Sequence, residues 1–264
     1  MARAREMLRR LYRATWGRAV AWGYDRFVAA TEDAGLRDRR RELLAPAAGR
    51  CLEIGAGTGL NLEAWPASLE RLVLTEPDPH MAAQLRKRVA RSPRAVEVVE
   101  APGERLPFAD ASFDSAGVTL VLCTAPDPGA VLREVDRVLK PGGRLFFLEH
   151  VRAEDPKLAR WQDRLHGPWY AFGYGCNCNR PTLDAIGASP LTVERVQRGE
   201  LPKAPPIVRP LIWGVARAGG TPPRRPAAVK ARPRPRSQPL PAARLMRSRP
   251  EPAMRTAPPD ASSP

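Results

Sequence analysis

Short apolar runs alternate with stretches of helical periodicity through the middle of the chain. Cys51, Leu52 and Ile54 form the first run, Arg71 to Thr75 the second and Ala95 to Val99 the third. Phe113 to Leu122 and Arg144 to Val151 make a fourth and a fifth, and each run predicts a strand, the first two buried. Helical spacing fills the gaps, with one helix starting near Thr58, one over Met81 to Ala90 and one over Gly129 to Leu139. The last stops at Lys140-Pro141-Gly142-Gly143. Two further strands are expected over Leu191 to Gln197 and Leu211 to Arg217. Strands alternating with helices predict an α/β fold, a parallel sheet covered on both faces. Upstream, Met7, Leu8, Leu11, Tyr12, Trp16, Val20 and Phe27 recur at helical spacing with Arg9, Arg10, Arg13 and Arg18 between them. Residues 1–35 therefore read as a basic amphipathic helical segment. It either packs on the domain, or lies on an anionic membrane surface or over the active site. A second helix, about Leu36 to Leu44, leads to Pro46 and the first strand.

Composition changes the picture mainly at the C-terminus. The chain has 264 residues, enough for one domain with extensions, and a formal charge of +15. From Gly219 onward there are ten Lys/Arg against two Asp/Glu, twelve prolines and no aromatic residue. Such a segment buries too little apolar surface to offset its ordering entropy, so residues 219–264 are expected to be disordered. The domain proper then spans 36–218. Basic charge gathered in a tail without stacking aromatics argues against specific nucleic-acid binding, which stands as the non-enzyme alternative. Four cysteines, no secretory signal and no apolar stretch long enough to span a bilayer point to reduced thiols and a cytoplasmic location, with peripheral membrane contact through residues 1–35 left open. Cys176-Asn177-Cys178 lacks a second Cys or His pair at zinc spacing, so no metal is expected.

The chemistry begins at Glu53-Ile-Gly55-Ala56-Gly57-Thr58-Gly59. Glycines there let the backbone turn sharply and approach a ligand without a Cβ, and the following helix would aim free N–H groups at it. The spacing differs from the dinucleotide fingerprint G-x-G-x-x-G, because Leu60 stands where the third glycine belongs. An acidic Glu53 at the strand end would repel a pyrophosphate but attract a cationic amino group. Open α/β sheets bind ligands beyond the carboxyl ends of their strands, which places Glu53, Glu76, Thr119 to Cys123 and Glu149-His150 around one crevice. Glu76 lies where a carboxylate accepts from two ribose hydroxyls, or else where an acid complements a helix dipole.

E-x-G-x-G-x-G resembles the first motif of the class I S-adenosylmethionine-dependent methyltransferases. Glu76-Pro77, Ala101-Pro-Gly-Glu104 before Leu106-Pro-Phe108, Phe113-Asp114 and Leu139-Lys-Pro-Gly-Gly143 extend the resemblance over about Leu43 to Val151. It implies a Rossmann-like seven-stranded methyltransferase sheet with its last strand antiparallel, and S-adenosyl-L-methionine as cofactor. The cofactor residues it implies are Glu53, Gly55, Ala56, Gly57, Thr58, Gly59, Glu76, Pro77, Gly103, Glu104, Thr119 and Leu120. Pro102 replaces the aspartate often found before the small residue, which leaves the backbone at Gly103 and Glu104 to read the adenine.

A narrower likeness follows. Thr119-Leu-Val-Leu-Cys123, Leu148-Glu-His-Val151, Trp161, Gly167-Pro-Trp169 and Gly175-Cys-Asn-Cys-Asn-Arg180 are similar to the methyltransferase-like thiol S-methyltransferases of animals and their bacterial relatives. The implied reaction is methyl transfer to a small apolar acceptor, a thiol among the candidates. The alternative is carbon or nitrogen methylation of a quinone precursor or lipid amine. Dense aromatics from Trp161 to Tyr174, in an acceptor-side cover over 151–190, suggest a substrate pocket. Its candidate lining is Tyr24, Cys123, Trp161, Trp169, Tyr174, Cys176 and Arg180. His150 is the candidate base, since a histidine titrates near neutral pH. Glu149 and His150 should not pair, because adjacent strand residues point to opposite faces.

Overall fold

The computed structural model describes residues 2–219, with side chains from Gly17 onward. The expectation for the C-terminal tail falls outside the described residues. Seven strands form one sheet in the order β3-β2-β1-β4-β5-β7-β6. They span Arg50–Ile54 (β1), Arg71–Thr75 (β2), Val96–Val99 (β3), Phe113–Thr119 (β4), Leu139–His150 (β5), Leu191–Glu200 (β6) and Pro210–Ala218 (β7). β1 to β5 run parallel, and β7 lies antiparallel between β5 and β6. Strand order reverses between β1 and β4, the place where such a sheet opens a crevice at its carboxyl edge.

The central strands are mainly apolar because both faces are covered. One face carries Cys51, Leu72, Leu74, Phe146 and Leu148; the other carries Leu52, Ile54, Val73, Val118 and Phe147. The helices are α1 (Ala2–Thr31), α2 (Arg37–Leu44), α3 (Pro79–Val89), α4 (Pro128–Val138), α5 (Pro156–Phe172) and α6 (Thr182–Gly187). Three of them begin with the same device. Asp78, Asp127 and Asp155 each cap the free N–H groups of a helix whose first residue is proline.

Three expectations change, and a fourth resolves between alternatives. Residues 57–64 form a chain of tight turns, such as Gly59 N–H to Ala56 O at 2.8 Å, and not the helix expected from Thr58. β4 ends at Thr119, three residues early, because Leu120 takes a positive φ of 59°. β5 starts at Leu139, where its pairing with Phe113 carries the strand through Lys140 to Gly143.

The fourth concerns α1. Its described part packs inward through small residues, with Ala21 buried, while Trp22 and Phe27 are 81% and 58% exposed. At Gly17 an added Cβ would come within 2.8 Å of His80. The helix thus lies on the domain through small residues and polar contacts. Asp25 accepts from the Thr58 hydroxyl at 2.5 Å and pairs with Arg88 of α3. Phe27 meets Phe172 of α5 edge to face at 5.6 Å. No helix among the described residues is long and apolar enough to cross a membrane.

Candidate active site

The three glycines after β1 divide their work. All have positive φ, at 65°, 59° and 90° for Gly55, Gly57 and Gly59. A Cβ on Gly55 would fall 2.8 Å from Val121, and one on Gly59 would fall 2.7 Å from Leu85. Those two permit close packing of the turn on its neighbours. A Cβ on Gly57 meets nothing within 4 Å, so this glycine alone borders open space. Beside it, Glu76 accepts from the Gly57 N–H at 2.8 Å and from the Asp78 N–H at 2.9 Å. Ala56 turns its side chain into the core and gives its N–H to Thr75 O, while Pro77 is exposed. Gly103 sits where a Cβ would press Ile54 at 2.8 Å, and Glu104 accepts from the Asp127 N–H at 3.4 Å.

Glu53 is placed differently from its sequence expectation. It is buried, and its two oxygens accept from Asn61 Nδ2 at 2.9 Å and Trp65 Nε1 at 2.6 Å. Asn61 also reaches the Thr119 hydroxyl at 2.5 Å and accepts from Arg40, which pairs with buried Glu32 at 2.9 Å. Burial pushes the Glu53 carboxyl up to about 7, against the Trp65 and Asn61 hydrogen bonds and the Arg40 charge. Its oxygens brace the floor under the glycine turn and are not free for a cationic ligand. Asn61, Trp65, Arg40 and Glu32 escaped sequence reasoning because only the fold joins them. The acidic and basic members carried no motif.

At the carboxyl ends of β4 and β5 several of the expected pocket residues meet. Glu149, fully buried, accepts from the N–H groups of Val121 and Leu122 at 2.9 Å and of Cys123 at 3.2 Å. That grip holds the chain as it turns away from β4. Burial still pushes its carboxyl up to about 7. His150 points to the other face, as strand alternation requires, and its Nδ1 stands 3.5 Å from Cys176 Sγ. Its Nε2 is buried without a hydrogen-bond partner. Cys123, His150 and Cys176 bring their ligating atoms within 4.8 Å of one another. The Cys123 thiol holds Cys176 below the usual thiol range, helped by His150 and Trp169 and opposed by burial, while Cys123 itself is pushed up by its contact with Cys176 and by burial. Tyr24 of α1 is pushed up to about 12 by burial beside these cysteines and Arg40.

The other pocket candidates divide. Trp169 packs against the core, with its indole nitrogen buried beside the Cys176 sulfur. Trp161 does not join the wall. It is 55% exposed on the outer surface of α5, with the Arg164 guanidinium 5.9 Å from its ring centre. Tyr174, at a positive φ of 54°, sends its hydroxyl to Asp78 at the start of α3 and so lies toward the cofactor end. Arg180 donates to the carbonyls of Leu122 and Ala125, the latter at 2.9 Å, and thereby pins the cover to the loop after β4. It makes no pair with Glu149, whose oxygens serve the backbone.

A groove of about 970 Å³ lies beside the glycine turn. It runs between α1, the turns at 58–67 and the end of α3, and its walls include Thr58, Trp65, Arg88 and Arg94 but neither Gly57 nor Glu76. A cleft of about 300 Å³ opens beside the cover, bounded by Thr124, His166, Tyr170, Asn177 and Arg180.

The chain is similar to known methyltransferases in sequence and in fold. A family described as "Methyltransferase domain" matches residues 52–147. Human thiol S-methyltransferase TMT1B is 36% identical over 193 residues, covering 69% of this chain and 79% of that protein. Human thiol S-methyltransferase TMT1A is 36% identical over 169 residues, covering 62% and 69%. Among solved structures, an S-adenosylmethionine-dependent methyltransferase from Thermotoga maritima superposes with a TM-score of 0.55 at 24% identity, covering 74% of this chain and 94% of that one. Fold, motif order and these relatives together place the chain in the family of S-adenosylmethionine-dependent methyltransferases.

Proposed function

We propose that the enzyme transfers the methyl group of S-adenosyl-L-methionine to the sulfur of a small apolar thiol. The observation that supports this acceptor is the buried meeting of Cys123, His150 and Cys176 beneath Trp169 and Tyr24. Buried sulfur and aromatic side chains at these strand ends suit a neutral, hydrophobic acceptor better than a phosphorylated one. The likeness to thiol S-methyltransferases adds weight to the same reading.

The residues present fit the cofactor. The open space at Gly57 admits a ligand against the backbone, and the Glu76 carboxylate beside it suits ribose hydroxyls. Gly103 and Glu104 offer backbone groups to the adenine. When bound, the cofactor supplies an electrophilic methyl group on a sulfonium centre. The chain must align the acceptor, exclude water and keep the acceptor sulfur deprotonated. A free thiol titrates near ~8.5, so a modest electropositive influence suffices. The base role expected of His150 needs restating, because its Nδ1 is directed at a thiol of the chain itself.

A labelled-methyl assay across alkyl and aryl thiols, quinols and lipid amines tests the reading. Thiols should be methylated. Turnover of quinols or amines without thiols would leave a methyltransferase of another acceptor class.

A further inference from the structure

Two loops and one strand end, far apart in sequence, deliver a set of soft ligands to one buried point. Cys123 comes from the turn after β4, His150 from the end of β5 and Cys176 from the loop after α5, and all three are buried. We propose that these three residues form a binding site for a zinc ion, with the fourth coordination position left to an exogenous ligand.

The ligand chemistry selects the metal. Two sulfurs and an imidazole nitrogen, with no carboxylate or carbonyl oxygen among them, are the donor set of zinc and not of magnesium or calcium. Zinc bonds of about 2.3 Å to sulfur and 2.0 Å to nitrogen at a tetrahedral angle separate the two ligand atoms by about 3.5 Å. Cys176 Sγ and His150 Nδ1 stand 3.5 Å apart. Charge also balances. Two thiolates neutralise a divalent cation, the imidazole is neutral, and a buried apolar recess accepts the neutral assembly more readily than a lone thiolate. On binding, each cysteine gives its S–H proton to water, and both sulfur lone pairs become metal bonds.

The site is held in place before any metal enters. Asn177, between the two cysteines of the C-x-C run, donates to the Cys123 carbonyl from its backbone N–H at 2.8 Å and from Nδ2 at 2.9 Å. The Cys123 N–H is bound by Glu149, and the His150 carbonyl accepts from the Thr182 hydroxyl at 3.2 Å. These contacts fix the backbone that carries Cys123 and His150. Cys178, fully buried, lies outside the cluster, so the C-x-C run is not itself the chelate. That is why its spacing gave no zinc signal. Three protein ligands with one position open are the arrangement of a catalytic rather than a structural zinc. Resting on the thiol reading above, the open position would take the acceptor sulfur as a thiolate, its proton released to water.

The test uses the full chain, purified reduced and without chelator. Elemental analysis should find one zinc per chain, lost from Cys123→Ser and Cys176→Ser and kept in Cys178→Ser. Wild-type chain stripped of metal and given cobalt should develop a near-ultraviolet sulfur-to-cobalt band and intense visible bands of a tetrahedral site. This second measurement does not depend on any variant folding. Failure of reduced wild-type chain to develop the band overturns the site, as does zinc content unchanged in both cysteine variants. Adding hexanethiol to the cobalt form should shift the charge-transfer band, and no shift would overturn the open position. A cobalt site together with a chain that methylates no thiol would sink the acceptor reading while the metal site stands.

Discussion

Glu76 accepts a hydrogen bond from the Gly57 N–H at 2.8 Å, so the end of β2 grips the one glycine of the turn whose missing side chain borders open space. The contact joins the glycine turn after β1 to the acid that follows β2. Gly57→Val should therefore act in two ways. A left-handed φ of 59° strains any residue with a Cβ by about 1–2 kcal/mol, and the branched side chain fills the cofactor space. Calorimetry with S-adenosylhomocysteine should show binding to the native chain and almost none to the variant. Equal affinities would remove Gly57 from the cofactor site.

Glu149 should matter for stability before chemistry. It satisfies three backbone N–H groups, of Val121, Leu122 and Cys123, in a fully buried place. Glu149→Ala strands all three and should cost about 3 kcal/mol or more. Glu149→Gln keeps an acceptor oxygen and should recover part of that. Urea denaturation of the two variants gives the comparison, and equal losses would contradict the acceptor role.

The Glu53 carboxyl sets a slope of stability with pH. Its folded value, about 7, lies above the ordinary ~4.3, so the native state holds the proton more tightly than the unfolded chain. The stabilisation is complete below about pH 4 and is lost as pH rises through 7, on the order of 3 kcal/mol in all. Glu53→Gln has no proton to lose. Between pH 4.5 and 7 its unfolding free energy should fall less steeply than that of the native chain, with pH points chosen to bracket the two pKa values. Parallel slopes would show that burial does not raise this carboxyl.

Arg180 should act on the acceptor alone. Its guanidinium holds the cover to the carbonyls of Leu122 and Ala125, which flank Cys123. Arg180→Met should raise the acceptor KM by about tenfold, the equivalent of one lost charged hydrogen bond. S-adenosylhomocysteine affinity should stay as it was. A fall in cofactor affinity instead would mean that the loop after β4 serves both ligands.

The strands, the sheet class, the glycine turn and the family likeness were all legible in the sequence. Apolar runs and G-x-G-x-G express local backbone and burial requirements, and local requirements leave a mark in adjacent residues. Where local cues competed with tertiary contact, the reading slipped. The turn at 57–64 looked helical by its residues, yet close packing of Gly55 on Val121 and Gly59 on Leu85 holds it as successive turns. Trp161 counted as pocket lining because it lay in an aromatic-rich stretch, while α5 turns it outward. Glu53 read as a ligand contact, and its partners Asn61 and Trp65 could be named only once the turn had folded back over β1. The C-x-C run shows the limit most plainly. Spacing along the chain reports only ligands that one segment supplies, whereas Cys123, His150 and Cys176 come from three segments whose meeting depends on strand order and on the cover closing over the sheet. Sequence settled which residues were available; only the packing of β4, β5 and the cover decided which of them touch.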